Sequence, residues 1–368
     1  MRLFCEGLDL SDAVLKFIKA VSNKTTNPIL EGIKLVAEDD TLTLLATDGE
    51  LAIERKIKAN VDIEGQTVVP GKLFAEFVRR LTNEQIELSL NERNQLKIKY
   101  TDSEVFMQCL NANEFPTIQQ INNAQFFTIK QNDFKDLLDK TIFCAAPDET
   151  RPMLKGCLLE VTKENITSVA LDGFRMALAK KPVVDCSTEM SIVVPSRSLS
   201  ELSKLLEDSD ASLRLLVQQN YLMAEVSSTK IITRLLGTGA DYVNYKQVIP
   251  NDFKTTVVVQ KNQLEQALER VAILARASNE QGATFEFKEN LLTLQIKSDL
   301  GNVTEKVTAS VVGYDLDLTL NIFYIKESLN VIKDDFVKLE LNGVVNPCVI
   351  VPHTGDEYMY IILPLRRY

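Results

Sequence analysis

The chain has 368 residues, with 41 Lys and Arg against 51 Asp and Glu, which gives a formal charge of −10 and an isoelectric point of about 5.0. That length suggests two or three domains, and a composition of 45% hydrophobic and 25% charged residues excludes a disordered chain. Taken alone, the acidic balance speaks against a protein that coats itself with nucleic acid, because such proteins carry a basic net charge or a dense basic patch.

In chain order, a strand is predicted over 1–6 and then a helix over 9–24, whose Leu10, Val14, Phe17, Ile18 and Val21 recur at helical spacing. Strands follow; Leu51, Ile53, Ile57, Ala59 and Val61 keep mostly one parity, the alternation of a half-buried strand. A second helix is predicted over 71–82, with Leu73, Phe74, Phe77, Val78 and Leu81 on one face. The turns Asn91-Glu92-Arg93-Asn94 and Gln218-Gln219-Asn220 separate alternating runs that read as hairpins. Further helices are predicted over 130–140, 196–208, 260–276 and 325–335.

The same grammar recurs because the sequence repeats itself. Asn27-Pro28-Ile29-Leu30-Glu31-Gly32 matches Arg151-Pro152-Met153-Leu154-Lys155-Gly156, and Ala46-Thr47-Asp48-Gly49 matches Ala170-Leu171-Asp172-Gly173, both 124 residues on. Val68-Val69-Pro70 matches Val193-Val194-Pro195 at an offset of 125. A fainter third copy aligns Lys163-Glu164-Asn165 with Lys288-Glu289-Asn290, also 125 apart. The reading is α+β: three tandem domains, 1–124, 125–252 and 253–368, each of two helices and an antiparallel sheet.

Catalytic signatures are missing. His353 is the only histidine, which excludes His-rich zinc sites and makes hydrolase chemistry implausible. Six scattered cysteines include no C-x-x-C pair and read as small reduced hydrophobes. Leu236-Gly237-Thr238-Gly239-Ala240 lacks the third glycine of a dinucleotide loop, and Asp315-Leu316-Asp317 lacks the glycine of a calcium loop and reads as a strand. No phosphate-binding loop, H-E-x-x-H or G-x-S-x-G occurs. The expectation is a non-enzyme without cofactor or metal. With an acidic amino terminus and no apolar run of 18 residues, it is also expected to be soluble and cytoplasmic, away from membranes.

The chain resembles the bacterial β sliding clamps, the processivity subunits of the replicative DNA polymerase. The resemblance rests on Thr26-Asn27-Pro28-Ile29-Leu30, Ala46-Thr47-Asp48-Gly49, Val68-Val69-Pro70, the stretch 151–160, Leu171-Asp172-Gly173-Phe174-Arg175-Met176, Asn321 with Tyr324, and Ile361-Ile362-Leu363-Pro364-Leu365-Arg366. It implies a triplicated DNA-clamp domain and a head-to-tail homodimer, a ring of six domains. It further implies enclosure of double-stranded DNA, and short linear peptides as the means by which the replicative polymerase, the clamp loader and repair proteins attach. The peptide pocket it implies comprises Leu154, Leu171, Gly173, Phe174, Arg175, Met176, Val243, Val248, Asn321, Tyr324, Val345, Ile361, Leu363, Pro364, Leu365 and Arg366, with Asn321, Arg175 and Arg366 available to polar groups of the peptide. For the dimer seam the matching positions are Val105 and Met107 against Ile273 and Leu274. The chain departs from the family pattern at Phe174, where several members have His, at Val243, where some have Pro, and in its Arg367-Tyr368 ending.

Charge gives a separate reading. The six predicted helices together carry about +2, which leaves about −12 elsewhere. Lys16, Lys19, Lys24, Lys72, Arg79, Arg80, Arg197 and Lys204 are the candidate phosphate contacts of a DNA-lined hole. The alternative is a non-enzymatic repeat scaffold that binds proteins without enclosing DNA.

Overall fold

The computed structural model describes residues 1–366 apart from 22–25, 83, 123 and 148–149, and omits the side chains of Lys16, Phe17 and Lys19. Lys24 therefore lies outside the described residues, as do the side chains of Lys16 and Lys19. Among the described residues there are six α-helices: α1 (Gly7–Phe17), α2 (Gly71–Val78), α3 (Gln131–Asp139), α4 (Ser196–Leu205), α5 (Lys261–Ser278) and α6 (Ile322–Asn330). They associate in sequential pairs. Leu10, Ala13 and Val14 bury one stripe of α1, Phe74, Ala75 and Val78 one stripe of α2, and the two helices pack together. The α4 residue Ser203 donates to Asp139 of α3 at 3.0 Å. Leu264, Leu268 and Val271 of α5 are buried, as are Ile325 and Leu329 of α6, which packs on it. A fully buried Phe such as Phe74 contributes about 2–3 kcal/mol by transfer from water.

Two compact units are found: residues 1–128 with 204–235, and 129–203 with 236–368. In the first, a sheet of five strands runs in the order Asn60–Ile63, Arg2–Glu6, Gln85–Leu90, Gln95–Tyr100, Ser103–Gln108. A second run of strands joins two repeats where Leu51–Lys58 pairs antiparallel with Thr229–Arg234. In the second unit, Arg175–Pro182 pairs antiparallel with Tyr358–Ile362 in the same manner, within one sheet of thirteen strands.

The pairing registers expose the repetition residue by residue. Lys34, Leu45 and Glu54 stand opposite one another in the first repeat, Leu158, Val169 and Leu178 in the second, and Thr284, Gln295 and Thr304 in the third. The first two rows are 124 residues apart, as expected. The second and third are 126 apart, so the Lys-Glu-Asn match at an offset of 125 was one residue out of register. Hairpin pairing fixes that register, because a one-residue slip would turn every side chain of a strand to the opposite face.

Helix ends also differ from expectation. α1 stops at Phe17 and continues as a 3-10 turn over Ile18–Ala20. α2 stops at Val78, so Arg79 and Arg80 follow it. α6 starts three residues early because Asn321 caps its amino end, and it stops five residues early at Asn330. Within the observed bounds the helices hold nine basic and ten acidic residues, so the expected excess of +2 on the helices is not found. Lys204, Arg79 and Arg80 instead sit in or just beyond the last turns of their helices, where cations complement the helix dipole.

Candidate functional site

Where strand Arg175–Pro182 begins, the chain makes a tight turn through Asp172 and Gly173. Gly173 adopts φ +94°, a conformation costly for residues with a β-carbon. Asp172 holds the turn: its Oδ1 accepts from the backbone N–H groups of Phe174 (2.8 Å) and Arg175 (3.0 Å). Its Oδ2 accepts from Arg175 Nε at 3.0 Å.

The other two nitrogens of the Arg175 guanidinium are bonded as well. Nη1 donates to Glu327 of α6, Nη2 donates to the Phe143 carbonyl at 2.9 Å, and the group lies over the Tyr324 ring with 4.3 Å to its centroid. Each guanidinium nitrogen of Arg175 thus makes an internal hydrogen bond, which leaves two of its five N–H donors uncommitted. Asn321 is similarly occupied. It is buried, its side-chain oxygen accepts from the N–H groups of Phe323 and Tyr324, and its amide donates to Gln281 at 3.2 Å. Both residues fix Tyr324 and the amino end of α6 against the Asp172 turn.

The carboxyl-terminal segment completes the site. Leu363 N–H donates to the Phe174 carbonyl (2.9 Å) and Leu365 N–H to the Thr319 carbonyl (2.8 Å), which lays the segment along strand Leu316–Asn321. Gly282 makes room for it, because a β-carbon there would stand 2.8 Å from the Leu365 side chain. A cavity of about 560 Å³ opens beside it, lined by Val344, Val345, Pro364, Leu365 and Arg366 with Asp317, Leu318 and Thr319.

The implied pocket residues fall into layers. Leu154, Leu171, Met176 and Ile361 belong to a buried cluster with Tyr242 and Tyr245, and none of the four lines that cavity. Phe174, Val243, Val248, Val345, Leu363 and Leu365 are exposed apolar residues, Phe174 by 57% and Val345 by 82%. The Tyr245 hydroxyl donates to Glu160 (2.5 Å), tying down the segment that carries Val243 and Val248; burial, with that carboxylate next to it, pushes the phenol well above its ordinary value. Glu327, Thr319 and Gly282 were missed by sequence reasoning, since no local pattern links them to the Asp172 turn.

The described basic candidates, Lys72, Arg79, Arg80, Arg197 and Lys204, are all exposed. Arg197 and Lys204 are seven residues apart, two turns along one face of α4. At the expected dimer seam, Ser103–Gln108 is the outer strand of its sheet, but its alternation turns Met107 inward, 3% exposed, and leaves Val105 half-buried. The outward apolar residue is Phe106, 47% exposed, which the expectation missed. On α5, Ile273 is 69% exposed and Leu274 half-buried. Among the described residues no three metal-ligating side chains come together, and no helix is long and apolar enough to cross a membrane.

Three family descriptions match in succession: the N-terminal domain of the DNA polymerase III beta subunit over residues 1–119, its central domain over 128–240, and its C-terminal domain over 246–366. A beta sliding clamp of Halalkalibacterium halodurans is 30% identical over 370 residues, covering 95% of each chain. The Bacillus subtilis DNA polymerase sliding clamp superposes with a TM-score of 0.95 at 26% identity, covering all of both chains. A Pseudomonas aeruginosa sliding clamp bound to griselimycin superposes with a TM-score of 0.92 at 25% identity, again over both whole chains. The chain belongs to the DNA polymerase III beta subunit family, the beta sliding clamps.

Proposed function

We propose that two copies of this chain close head to tail into a ring around double-stranded DNA. The ring slides without sequence preference and tethers the replicative polymerase, the clamp loader and repair proteins in the cytoplasm through short peptides seated at the Asp172–Leu365 site. The observation that carries this reading is the succession of three matched clamp domains across residues 1–366. We take the domains as 1–124, 125–252 and 253–368. Enclosure needs only weak phosphate contacts of the counterion-release kind, which suits a small number of exposed cations on an acidic protein. The outer strand Ser103–Gln108 with exposed Phe106, and α5 with exposed Ile273, support the two halves of the seam. Exposed apolar residues together with a buried aliphatic cluster support an apolar peptide anchor.

The test is topological. After loading, the protein should stay on nicked circular DNA and leave when the circle is cut open. Equal loss from circular and linear DNA would reject the ring and favour a scaffold that binds partners without enclosing DNA.

A further inference from the structure

The first unit keeps a cleft where the equivalent side chains of the second unit, Leu158, Val169 and Leu178, are packed in an aliphatic cluster. One wall is a row of side chains standing opposite one another on four neighbouring strands: Lys34, Leu45, Glu54 and Lys230. The connecting segment 115–122 crosses that row and is pinned near both ends. Phe115 is buried with Ile29 and Val68, and Ile121 with Ala52 and Ile232. Between the pins, residues 116–120 form no helix or strand, and a cleft of about 410 Å³ stays open between them and the row.

The charges in this cleft do not cancel. Glu54 and Lys230 lie 3.7 Å apart and serve each other. Half-buried Lys34 has its ammonium 5.9 Å from the centroid of the Phe115 ring and, among the described residues, no carboxylate within ion-pair distance. The opposite end is apolar, where Met223 and Ile232 pair across adjacent strands and Ile118 joins them. Among the described residues, the main-chain N–H groups of 117–121 have no acceptor. A cation at one end, aliphatic side chains at the other and backbone donors between them suit an extended peptide better than a small anion. Lys34 and Ile232 stand three strand spacings and two residues apart, roughly 16 Å. An extended peptide bridges that with side chains four positions apart, about 13 Å along its chain and on the same face. We infer that this cleft is a second docking site, for an extended peptide whose carboxylate side chain pairs with Lys34 and whose aliphatic side chain, four positions away, meets Met223 and Ile232.

The test uses the full-length protein and two fluorescently labelled peptides, Ser-Glu-Ser-Thr-Ser-Leu-Ser and its counterpart with Gln in place of Glu, read by anisotropy. The wild type should bind the Glu peptide about threefold more tightly. Lys34→Met should abolish that preference, Lys34→Arg should keep it, and Lys58→Met, at an exposed lysine outside the cleft, should leave it intact. Binding of the peptides elsewhere on the chain persists in Lys34→Met and so drops out of the comparison. Absent binding, equal affinities of the wild type for the two peptides, or a preference that survives Lys34→Met would each overturn the assignment. Free glutamate competing as well as the Glu peptide would overturn it too, by marking an anion hole alone. None of these outcomes bears on the ring or on the site in the second unit.

Discussion

Asp136 on α3 offers the sharpest test of how the second unit holds together. Its Oδ2 lies 2.6 Å from Lys140 Nζ and 2.9 Å from Lys181 Nζ, and its Oδ1 2.9 Å from Lys333 Nζ, just past α6. Burial alone would raise this carboxyl, but the three ammonium groups outweigh it and hold the group well below the usual carboxylate range. The Lys333 side chain is 82% exposed and adds little, whereas Lys140 is only 6% exposed and Lys181 15%. Asp136→Asn leaves Lys140 buried against the Tyr358 ring, with 5.4 Å to its centroid, and without its one ion-pair partner among the described residues. Breaking one side of such a buried pair costs about 3–5 kcal/mol. For a cooperative body of this size, that lowers the melting temperature by roughly 6–20 °C, read by scanning calorimetry of the full chain. Adding Lys140→Met to the variant should recover about 1 kcal/mol or more through coupling. The sign with pH is fixed: a carboxyl lowered in the folded state adds its full stability above its unfolded value near 4 and loses it as pH falls through the depressed value. The gap between wild type and variant should therefore hold from about pH 8 to 5 and shrink only in more acid solution. A variant within about 1 kcal/mol of wild type at neutral pH, or a gap that closes between pH 7 and 5, would refute the reasoning.

Asn321→Ala should cost about 1–2 kcal/mol through the lost cap of α6, with Asn321→Ser restoring most of it in thermal denaturation; equal losses in both would deny the cap its role. Removing residues 365–368 should weaken a polymerase carboxyl-terminal peptide at least about tenfold in calorimetry while leaving the oligomer intact, because Leu365 and Arg366 wall the cavity and Leu365 is bonded to Thr319. Unchanged affinity would move the peptide elsewhere. Phe106→Lys should convert a dimer to monomer in native mass measurements while Val105→Ala does not, since Phe106 faces outward; a persistent dimer would remove that strand from the seam.

The three-fold repetition was legible in sequence because Asn27-Pro28 and Arg151-Pro152, or Asp48-Gly49 and Asp172-Gly173, fill backbone positions that few residues can occupy. Of the peptide site, Leu154, Leu171, Met176 and Ile361 were named through the family resemblance, and the structure gathers them in one buried cluster. The roles of Arg175 and Asn321 were not legible. Each is a polar residue with partners far off in the chain as well as near ones, at Glu327 and Phe143 for one and at Gln281 for the other, and no local pattern tells an internal hydrogen bond from one offered to a ligand. Phe106 was missed for a smaller reason, the parity of an outer strand, which the pairing of Leu96 with Met107 and of Lys97 with Phe106 resolves.

Equivalent rows of side chains account for why the second unit, and not the first, presents an apolar floor. In the first unit the row Lys34, Leu45, Glu54 continues to Lys230, with Lys230 and Glu54 3.7 Å apart. The connecting segment that crosses it, Phe115 to Asn122, leaves a cleft of about 410 Å³ whose lining includes those three charged residues. In the second unit the same row reads Leu158, Val169, Leu178 and continues to Met359, and it is covered by Tyr242, Tyr245, Ile249 and Phe253. Charged side chains crossing a sheet face hold on to water and resist tight cover, whereas aliphatic ones reward it by about 25 cal/mol per Å² buried. With the apolar row covered, the neighbouring Val243 and Val248 are fixed in place as exposed residues on a packed segment. Three substitutions on one inherited framework, Lys34 to Leu158, Glu54 to Leu178 and Lys230 to Met359, thus separate a charged cleft from a surface able to seat an apolar anchor.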